Sequence, residues 1–361
     1  MSEPFPPQAA ATSTVELRST LEGALGRHFG VPCRITAFER RPSAYRTSFA
    51  IEELDVQLDD GTVLQIMFKD LSRHGLPDFV RRAKPDFLYD PRREIETYRT
   101  ILAGSDLGTA TCYGAVADDA ANRYWLFLEK VPGVELYQVG EFSTWQAVAR
   151  WLAGLHERFA PEAAAGDAPG DSIQGHAPSP LHSVPLLRYD ADFFSLWLSR
   201  ALLFARAAEP FEARQARQAL DWLAGRYGQV VERLAALPVT FIHGEFYAAN
   251  VLVQEQADAL RVCPVDWEMA AIGPGLLDLA ARTAGQWTEE EKAAMAEAYR
   301  AAMPPASHIA TDPATFWAAL DFCHLHVAVQ WLGWAPEWSP PAQTAHNWLD
   351  EALRLAEKLG L

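Results

Sequence analysis

The chain has 361 residues, of which 49% are hydrophobic, so it is long enough for two domains or for one domain with two lobes. This composition excludes a disordered or a fibrous protein. Its 47 acidic and 31 basic residues give a formal net charge of −16, which opposes non-specific binding to nucleic acid or to an anionic membrane and favours cationic or neutral partners.

The amino-terminal segment predicts a loose tail followed by one helix. Residues 1–12 are rich in Pro, Ala, Ser and Thr, and we expect them to form a disordered tail. Ser13 and Glu16 have the spacing of a capping box. Apolar side chains then recur at every fourth position over 17–29, and Gly30 follows, so we predict an amphipathic helix that ends there.

The next part of the chain predicts an open sheet with one inserted helix. We expect strands in five segments, at 34–38, 47–58, 62–69, 111–116 and 124–131. An Asp-Asp-Gly turn at 59–61 joins the second to the third, so the first three are antiparallel neighbours. The inserted helix begins at Asp90-Pro91, where Asp suits the cap and Pro the first turn, and it stops before Gly104.

Beyond residue 141 the pattern becomes mainly helical, starting with an apolar helical stripe over 145–159. Residues 161–185 are dense in Ala, Gly, Pro, Asp and Ser and predict a flexible surface insertion. The change of character near Pro132-Gly133 divides the chain into an N-terminal lobe, 13–131, and a C-terminal lobe, 132–361.

The most informative segment combines polar side chains with a predicted hairpin. Two apolar runs, 251–253 and 262–265, flank the polar residues 254–258 and predict two paired strands. The open end of this hairpin brings Asn250 close to Asp266. Their oxygens suit Mg²⁺, which takes a few protein ligands and completes its shell with phosphate oxygens and water.

Two charged residues upstream are predicted to point inward. Side chains alternate along 62–69, so Lys69 ends a strand; taken alone, it could equally be an ordinary solvated strand end. In the helix from Pro91, Glu94 shares a face with Tyr98 and Ile101. Taken alone, Glu94 could be half of a surface salt bridge worth about 0.3 to 0.5 kcal/mol.

His243-Gly244-Glu245, Asn250 and Asp266 resemble the signature of the aminoglycoside phosphotransferase and choline kinase family, relatives of the protein kinases. The run Gly-Pro-Gly-Leu-Leu-Asp-Leu-Ala at 273–280 is also similar to that family. The resemblance implies an α+β, bilobal protein-kinase-like fold, with a small antiparallel-sheet N-lobe carrying one helix and a larger, mostly helical C-lobe. It also implies a small-molecule kinase that uses ATP or GTP with Mg²⁺.

The resemblance further implies a role for each matched residue. Glu245 orients the acceptor hydroxyl and takes its proton, while Asn250 and Asp266 bind the metal. Lys69 and Glu94 match the pair with which protein kinases hold the α- and β-phosphates. The backbone of the segment 128–131 holds the adenine or guanine, through Leu128, Glu129 and Val131.

Two features depart from the family pattern. The segment 41–48 has no glycine, so we expect phosphate contacts there from the hydroxyls of Ser43, Thr47 and Ser48. Glu245 replaces the usual Asp; it keeps a carboxyl group of similar intrinsic pKa, about 4.3 against about 3.9, but extends it by one methylene. Because phosphoryl transfer depends mainly on positioning and electrostatics, a Glu can serve if the hydroxyl lies correspondingly farther away.

Two other functions remain open from the sequence. A pseudokinase would bind nucleotide or act as a scaffold, with Glu245 marking lost catalysis. Retention of Lys69, Asn250 and Asp266 argues against it, because a scaffold has no need of a metal clamp. A nucleotide hydrolase would differ only in using water as the acceptor.

Several other residues have simpler structural interpretations. We expect Asp278 to brace the catalytic loop and His243 to be an architectural hydrogen-bonding residue. Cys323, His324 and His326 could be read as a metal cluster, but adjacent helical residues point apart, so buried packing is the favoured interpretation. Five tryptophans could line a substrate pocket, but core packing is the favoured interpretation for Trp317, Trp331, Trp334, Trp338 and Trp348.

The four cysteines, Cys33, Cys112, Cys263 and Cys323, have spacings that suit neither a disulfide framework nor a zinc site. The first residues lack a secretory signal, and the apolar stretch 316–334 contains polar side chains that favour a buried helix over a membrane span. The sequence therefore predicts a cytoplasmic protein that binds neither membrane nor nucleic acid.

Overall fold

The computed structural model describes residues 13–43, 49–73, 76, 80, 84–165, 180–207, 213–257, 259–285, 287–307, 312–334 and 346–361. By its internal contacts the chain divides into two compact units, Met1–Pro132 and Gly133–Leu361.

The N-terminal unit contains a five-stranded antiparallel sheet of order β1-β2-β3-β5-β4. The strands are β1 Ile35–Pro42, β2 Ala50–Leu58, β3 Val63–Asp70, β4 Cys112–Asp118 and β5 Arg123–Glu129. All five predicted strands are therefore confirmed. β1 runs four residues beyond the predicted end, at Phe38, because it stays paired with β2 as far as Pro42.

Helix α1, Thr14–Phe29, covers one face of this sheet. Its buried leucines pack with Ile66 and Phe68 of β3, and Gly30 ends the helix in the left-handed conformation with φ 72°. The predicted capping box is wrong: the Ser13 side chain makes no capping hydrogen bond. The carboxylate of Glu16 instead pairs with Arg123 of β5.

Helix α2, Pro91–Glu96, continues as a π-helical turn over Thr97–Leu102, which confirms the predicted inserted helix. The Asp90 side chain accepts a hydrogen bond of 2.9 Å from the backbone N–H of Arg92, and Pro91 occupies the first turn. This capped start fixes the direction in which the α2 side chains project.

The C-terminal unit is mainly helical. Its helices are α3 Phe142–Ala165, α4 Pro180–Ser183, α5 Ala191–Ala207, α6 Ala213–Ala224, α7 Tyr227–Ala235, α8 Leu276–Thr283, α9 Glu289–Ala302, α10 Pro313–Leu332 and α11 Trp348–Lys358. Two three-stranded sheets, of order β10-β9-β6 and β7-β11-β8, lie among them. Their strands are β6 Val134–Glu135, β7 Leu187–Arg188, β8 Val239–Ile242, β9 Val251–Gln256, β10 Ala259–Pro264 and β11 Ala271–Pro274.

The predicted insertion at 161–185 is only partly an insertion. Helix α3 continues to Ala165, because 162–165 is rich in alanine, the strongest helix former, and Ala163 is buried. Residues 180–183 form α4, and 166–179 lie outside the described residues.

Helix α10 contains nearly all of the apolar stretch that the sequence assigned to a buried helix, and half of the residues of the helix are buried, which confirms that prediction. Across the part of the chain that the structure describes, we find no helix with the length and apolarity needed to cross a membrane.

Candidate active site

The predicted catalytic loop follows β8 and runs through His243, Gly244 and Glu245 to a short 3-10 turn, Ala248–Asn250. Gly244 has φ 84°, and a Cβ at this position would lie 2.3 Å from the carbonyl oxygen of Met269. Only glycine combines this backbone conformation with so close an approach. The glycine of the motif therefore sets the path of the chain that presents Glu245.

Asp278, in the first turn of α8, holds this loop from behind. Its two carboxylate oxygens accept hydrogen bonds from the backbone N–H groups of His243, at 2.7 Å, and Gly244, at 2.8 Å. His156 of α3 lies 3.3 Å from the same carboxylate and 2.8 Å from the hydroxyl of Tyr299 in α9. The predicted bracing role of Asp278 is confirmed.

His243 links the loop to the hairpin that follows. The backbone N–H of Glu245 donates to Nδ1 of His243 at 3.3 Å, so the proton resides on Nε2, which donates to the carbonyl oxygen of Val265 at 3.0 Å. The predicted architectural role of His243 is also confirmed.

Replacing Asp278 by asparagine should lower both stability and turnover. One of the two loop N–H groups would then face an NH₂ instead of a carboxylate oxygen, and an unsatisfied buried donor costs about 1–3 kcal/mol. Urea denaturation would measure the loss of stability, and kcat the displacement of the loop. Asp312→Asn is the matched control, because Asp312 caps α10 at an exposed helix end. Equal stability in D278N and wild type would contradict the bracing role.

The predicted hairpin is confirmed. β9 and β10 are antiparallel, Val251 pairs with Pro264, and the backbone N–H of Val265 donates to the carbonyl oxygen of Asn250 at 2.9 Å. This bond holds Asn250 beside the residue that precedes Asp266.

The side chains of Asn250 and Asp266 fit the predicted metal site. The Asn250 Nδ2 donates to the carbonyl oxygen of Glu245 at 3.0 Å, which reserves its Oδ1 as an acceptor. Asp266 has φ 67° and ψ 59°, a left-handed conformation that is costly for a residue other than glycine and that collects at functional sites. Within the described ranges, no group of three or more His, Cys, Asp or Glu could hold a metal by itself. Two oxygen ligands suit an ion that takes the rest from phosphate and water.

The Lys69–Glu94 pair joins β3 to α2 within the N-terminal unit. Lys69 Nζ lies 2.7 Å from one Glu94 carboxylate oxygen and 2.8 Å from the other. Lys69 is 5% exposed and Glu94 is 1% exposed. The inward orientation of both side chains is confirmed, and the solvated strand end and the surface salt bridge are wrong. Burying two charges this deeply costs free energy of desolvation, so stability alone gives little reason to keep the pair.

Lys69→Met should remove nucleotide affinity and also destabilise the N-terminal unit, since the Glu94 carboxylate would remain buried without its cation. Breaking such a pair costs about 3–5 kcal/mol. The double variant Lys69→Met/Glu94→Gln removes both charges and should recover most of the stability without recovering turnover. Thermal unfolding and nucleotide titration of both variants separate the two effects. Full turnover in the double variant would show that the pair has a structural role only.

The segment predicted to hold the nucleobase is fixed to the sheet. The Glu129 N–H donates to the carbonyl oxygen of Thr111 at 2.8 Å, and the Lys130 N–H to that of Gln65 at 3.0 Å. The Glu129 carboxylate accepts from both the N–H and the hydroxyl of Thr111. The side chains of Leu128 and Val131 are buried.

The predicted phosphate-binding hydroxyls have a different setting. Ser43 is buried, and its hydroxyl lies 3.4 Å from the carboxylate of Glu53 on β2. Thr47 and Ser48 lie outside the described residues. The structure thus gives Ser43 a partner in its own sheet, in place of the open hydroxyl that we expected.

Glu53 belongs to a charged network that the sequence analysis missed. Its carboxylate lies 2.7 Å from Lys130 Nζ and 2.9 Å from Arg41 Nε, and Arg41 also pairs with Asp55. The hydrogen bond from Lys130 lowers the pKa of Glu53 despite its burial. The alternation of side chains along β2 could have indicated this position. Glu53 lies directly opposite Met67 on β3, and Met67 is on the same face of the sheet as Lys69, two positions earlier.

Tyr247 is a second residue that was missed. Burial, together with the charges of Glu245 and Asp278, raises its pKa well above the ordinary value, so the phenol stays neutral. Its ring centroid lies 5.3 Å from that of Trp331, which in turn stacks on Trp348 at 5.4 Å. The sequence indicates a role for Tyr247 only through its position, two residues after Glu245 on one short loop.

The tryptophan, cysteine and histidine residues that were considered near the C-terminus differ in burial. Trp317 and Trp348 are partly exposed and line a cavity, so core packing is wrong for them. Trp338 lies outside the described residues. Cys323 and His326 are buried, and His326 contacts the hydroxyl of Tyr227 at 2.8 Å, which confirms packing.

These features together define a protein-kinase-like fold: a sheet with a buried Lys–Glu pair, then a helical unit with a braced loop and an Asn–Asp hairpin. The sequence pattern of the phosphotransferase enzyme family, APH, matches residues 73–307, and the chain belongs to this family. It is therefore a small-molecule kinase, a phosphotransferase whose acceptor is an alcohol group. A search of curated protein sequences finds no significant match.

Several solved structures are similar to this chain at low sequence identity. The Plasmodium vivax ethanolamine kinase is 12% identical with a TM-score of 0.51, and the match covers 90% of this chain and 82% of that one. A choline/ethanolamine kinase family protein from Mesorhizobium loti is 13% identical with a TM-score of 0.50, covering 96% and 93%. A Streptomyces rimosus aminoglycoside phosphotransferase, solved with ADP and streptomycin, is 16% identical with a TM-score of 0.47, covering 82% and 93%.

Proposed function

We propose that this kinase transfers the γ-phosphoryl group of ATP or GTP to a hydroxyl of a soluble amino alcohol, amino sugar or sugar. The observation that supports this most strongly is the bonded sequence of groups around Glu245. The Asn250 amide donates to the Glu245 carbonyl, and the Asn250 carbonyl accepts from the residue before Asp266. The carboxylate for the acceptor and the two metal ligands are thereby held as one unit.

Each residue has one task in this proposal. Glu245 orients the acceptor hydroxyl and accepts its proton. Asn250 and Asp266 hold Mg²⁺, which neutralises charge on the nucleotide phosphates when it is bound. Lys69, fixed by Glu94, binds those phosphates. No residue forms a covalent intermediate.

The nucleobase is proposed to lie on the segment after β5. Because the N–H groups of Glu129 and Lys130 already donate within the sheet, the Val131 backbone is the donor proposed for the base. Leu128 and Val131 supply apolar contacts. Ser48 is a candidate phosphate ligand. Ser43 is a second candidate, and its hydroxyl would have to exchange its contact with the Glu53 carboxylate for one with a phosphate.

Two observations guide the choice of acceptor. The two structures with the higher TM-scores are named for ethanolamine and choline/ethanolamine, and the net charge of −16 favours a cationic substrate. Amino alcohols are therefore the first acceptors to try. All four cysteines are free thiols, as expected in a reducing compartment, so we propose that the reaction takes place in the cytoplasm.

The test mixes the protein with Mg-ATP or Mg-GTP and a panel of amino alcohols, amino sugars and sugars, and detects phosphorylated products by mass spectrometry. We expect one acceptor class to be phosphorylated in stoichiometric proportion to the nucleoside diphosphate released. Nucleotide binding without any product would favour the pseudokinase. Diphosphate release without a phosphorylated acceptor would favour the hydrolase.

A further inference from the structure

A cavity of about 300 Å³ lies among helices α9, α10 and α11 of the C-terminal unit, at the end of α8. Trp317 and Trp348 form two of its walls. Glu245, Asn250 and Asp266 do not line it. Its volume falls at the lower end of the range of small-molecule sites, and the proposed reaction uses none of its residues.

The charged residues of the lining balance one another. Glu289 pairs with Lys292 at 3.1 Å, Glu351 with Arg354 at 2.8 Å, and Asp321 with Lys358 at 2.8 Å. Among the described residues of the lining, those three acids and three bases are all the Asp, Glu, Lys and Arg residues.

The remaining titratable group in the lining is His324. Burial lowers the pKa of His324 to about 4, so its ring is neutral at physiological pH, and its Nε2 lies 2.8 Å from the hydroxyl of Thr283. The cavity is thus neutral in a strongly acidic chain. A singly charged ligand would meet a like charge there without gaining a free counter-charge.

We propose that this cavity is a second small-molecule site, which binds a neutral polyhydroxylated molecule such as a monosaccharide. Trp317 and Trp348 give the lining aromatic, apolar surface against which the C–H groups of a sugar can pack, although one face of the Trp348 ring is already stacked on Trp331. The carboxylate and guanidinium groups are planar and bidentate, and they match the spacing of vicinal hydroxyls without giving up their ion pairs.

The cavity is also connected to the loop that carries Glu245. The Thr283 hydroxyl, which contacts His324, donates to the carbonyl oxygen of Leu279 at 2.8 Å in α8. Asp278 lies in the first turn of the same eight-residue helix and braces the loop. Occupancy of the cavity is therefore expected to change kcat, an effect that rests on the proposed function.

Binding is tested on the whole protein without nucleotide. Saturation-transfer NMR with glucose, galactose, ribose and inositol should show binding in about the millimolar range. Glucosamine and glucose 6-phosphate, which carry one charged group each, should bind about tenfold more weakly or not at all. Absence of binding by every neutral compound, or equal binding of the charged ones, would overturn the inference.

Trp317→Leu removes one aromatic wall and keeps an apolar side chain. It should weaken sugar binding about tenfold, whereas Trp222→Leu, at a 37%-exposed tryptophan of α6, should leave binding unchanged. Asp321→Asn, which breaks the pair with Lys358, is a second variant should W317L fail to fold. If a cavity variant that folds binds the sugars as strongly as the wild type, the assignment is contradicted.

Kinase assays then separate a second site from the acceptor site. A bound sugar that changes kcat without being phosphorylated supports the second site. A bound sugar that is itself phosphorylated, with a KM raised by W317L, makes the cavity the acceptor site and overturns the inference. Because the binding experiment needs no phosphoryl transfer, failure of the proposed function leaves it interpretable.

Discussion

Asp266→Asn should reduce metal-dependent phosphoryl transfer by about 10²- to 10³-fold, the scale seen when a preorganised electrostatic group is lost. The substitution removes the charge that the proposal assigns to Mg²⁺. It leaves the backbone unstrained relative to wild type, because Asn is one of the few residues that tolerate the left-handed conformation of position 266. Stability should therefore change little while activity is lost.

The measurement is initial rate against Mg²⁺ concentration, together with the thermal unfolding midpoint. Asp106 provides a matched control, since it is another aspartate with positive φ, 49°, and it lies outside the proposed site. Asp106→Asn should keep wild-type turnover. Unchanged turnover in D266N across the Mg²⁺ titration would refute the metal assignment.

Glu245→Gln should lower kcat by about 10² to 10⁴-fold, the usual contribution of a positioned general base. Glutamine keeps the length and the hydrogen-bonding oxygen but cannot take the proton of the acceptor hydroxyl. KM for the nucleotide should stay near the wild-type value, because Lys69 and the metal ligands are untouched. Stopped-flow nucleotide binding and steady-state kinetics on the same preparation make the comparison.

Glu245→Asp tests the extra methylene. If the acceptor hydroxyl lies far enough from the loop to need the longer side chain, shortening it should also lower kcat, with a smaller loss than E245Q. An aspartate variant that is faster than wild type would indicate that Glu245 is a compromised base. Identical product formation by E245Q and wild type would remove Glu245 from the reaction.

The inward charged pair could be predicted because two short-range periodicities decide it. The period of two along β3 places Lys69, and the period of 3.6 along α2 places Glu94 with Tyr98 and Ile101. The hairpin followed in the same way, from two apolar runs with a polar turn. Once Val251 pairs with Pro264, the register of the hairpin puts Asn250 and Asp266 at the same end of it.

The predicted capping box failed because a charged side chain had a choice of partners. Glu16 could have capped its own helix, but Arg123 from a distant strand takes its carboxylate. The contact of Ser43 with a phosphate stays a prediction, and its hydroxyl lies near Glu53 in the sheet. Which partner a charged side chain takes depends on the elements that pack beside it, and the spacing of residues along the chain does not show this.

The sequence by itself determined which groups the proposed site can contain: a lysine, three carboxylates and an amide, at spacings that a strand, a helix and a hairpin convert into fixed directions. Only the tertiary structure decided what holds those groups. The hydrogen bonds from the loop N–H groups to Asp278 join α8 to a loop on the other side of the β9–β10 hairpin, and the cavity lined by Trp317 and Trp348 lies among three separate helices. Periodicity is a property of neighbouring residues, whereas these contacts depend on how whole helices pack.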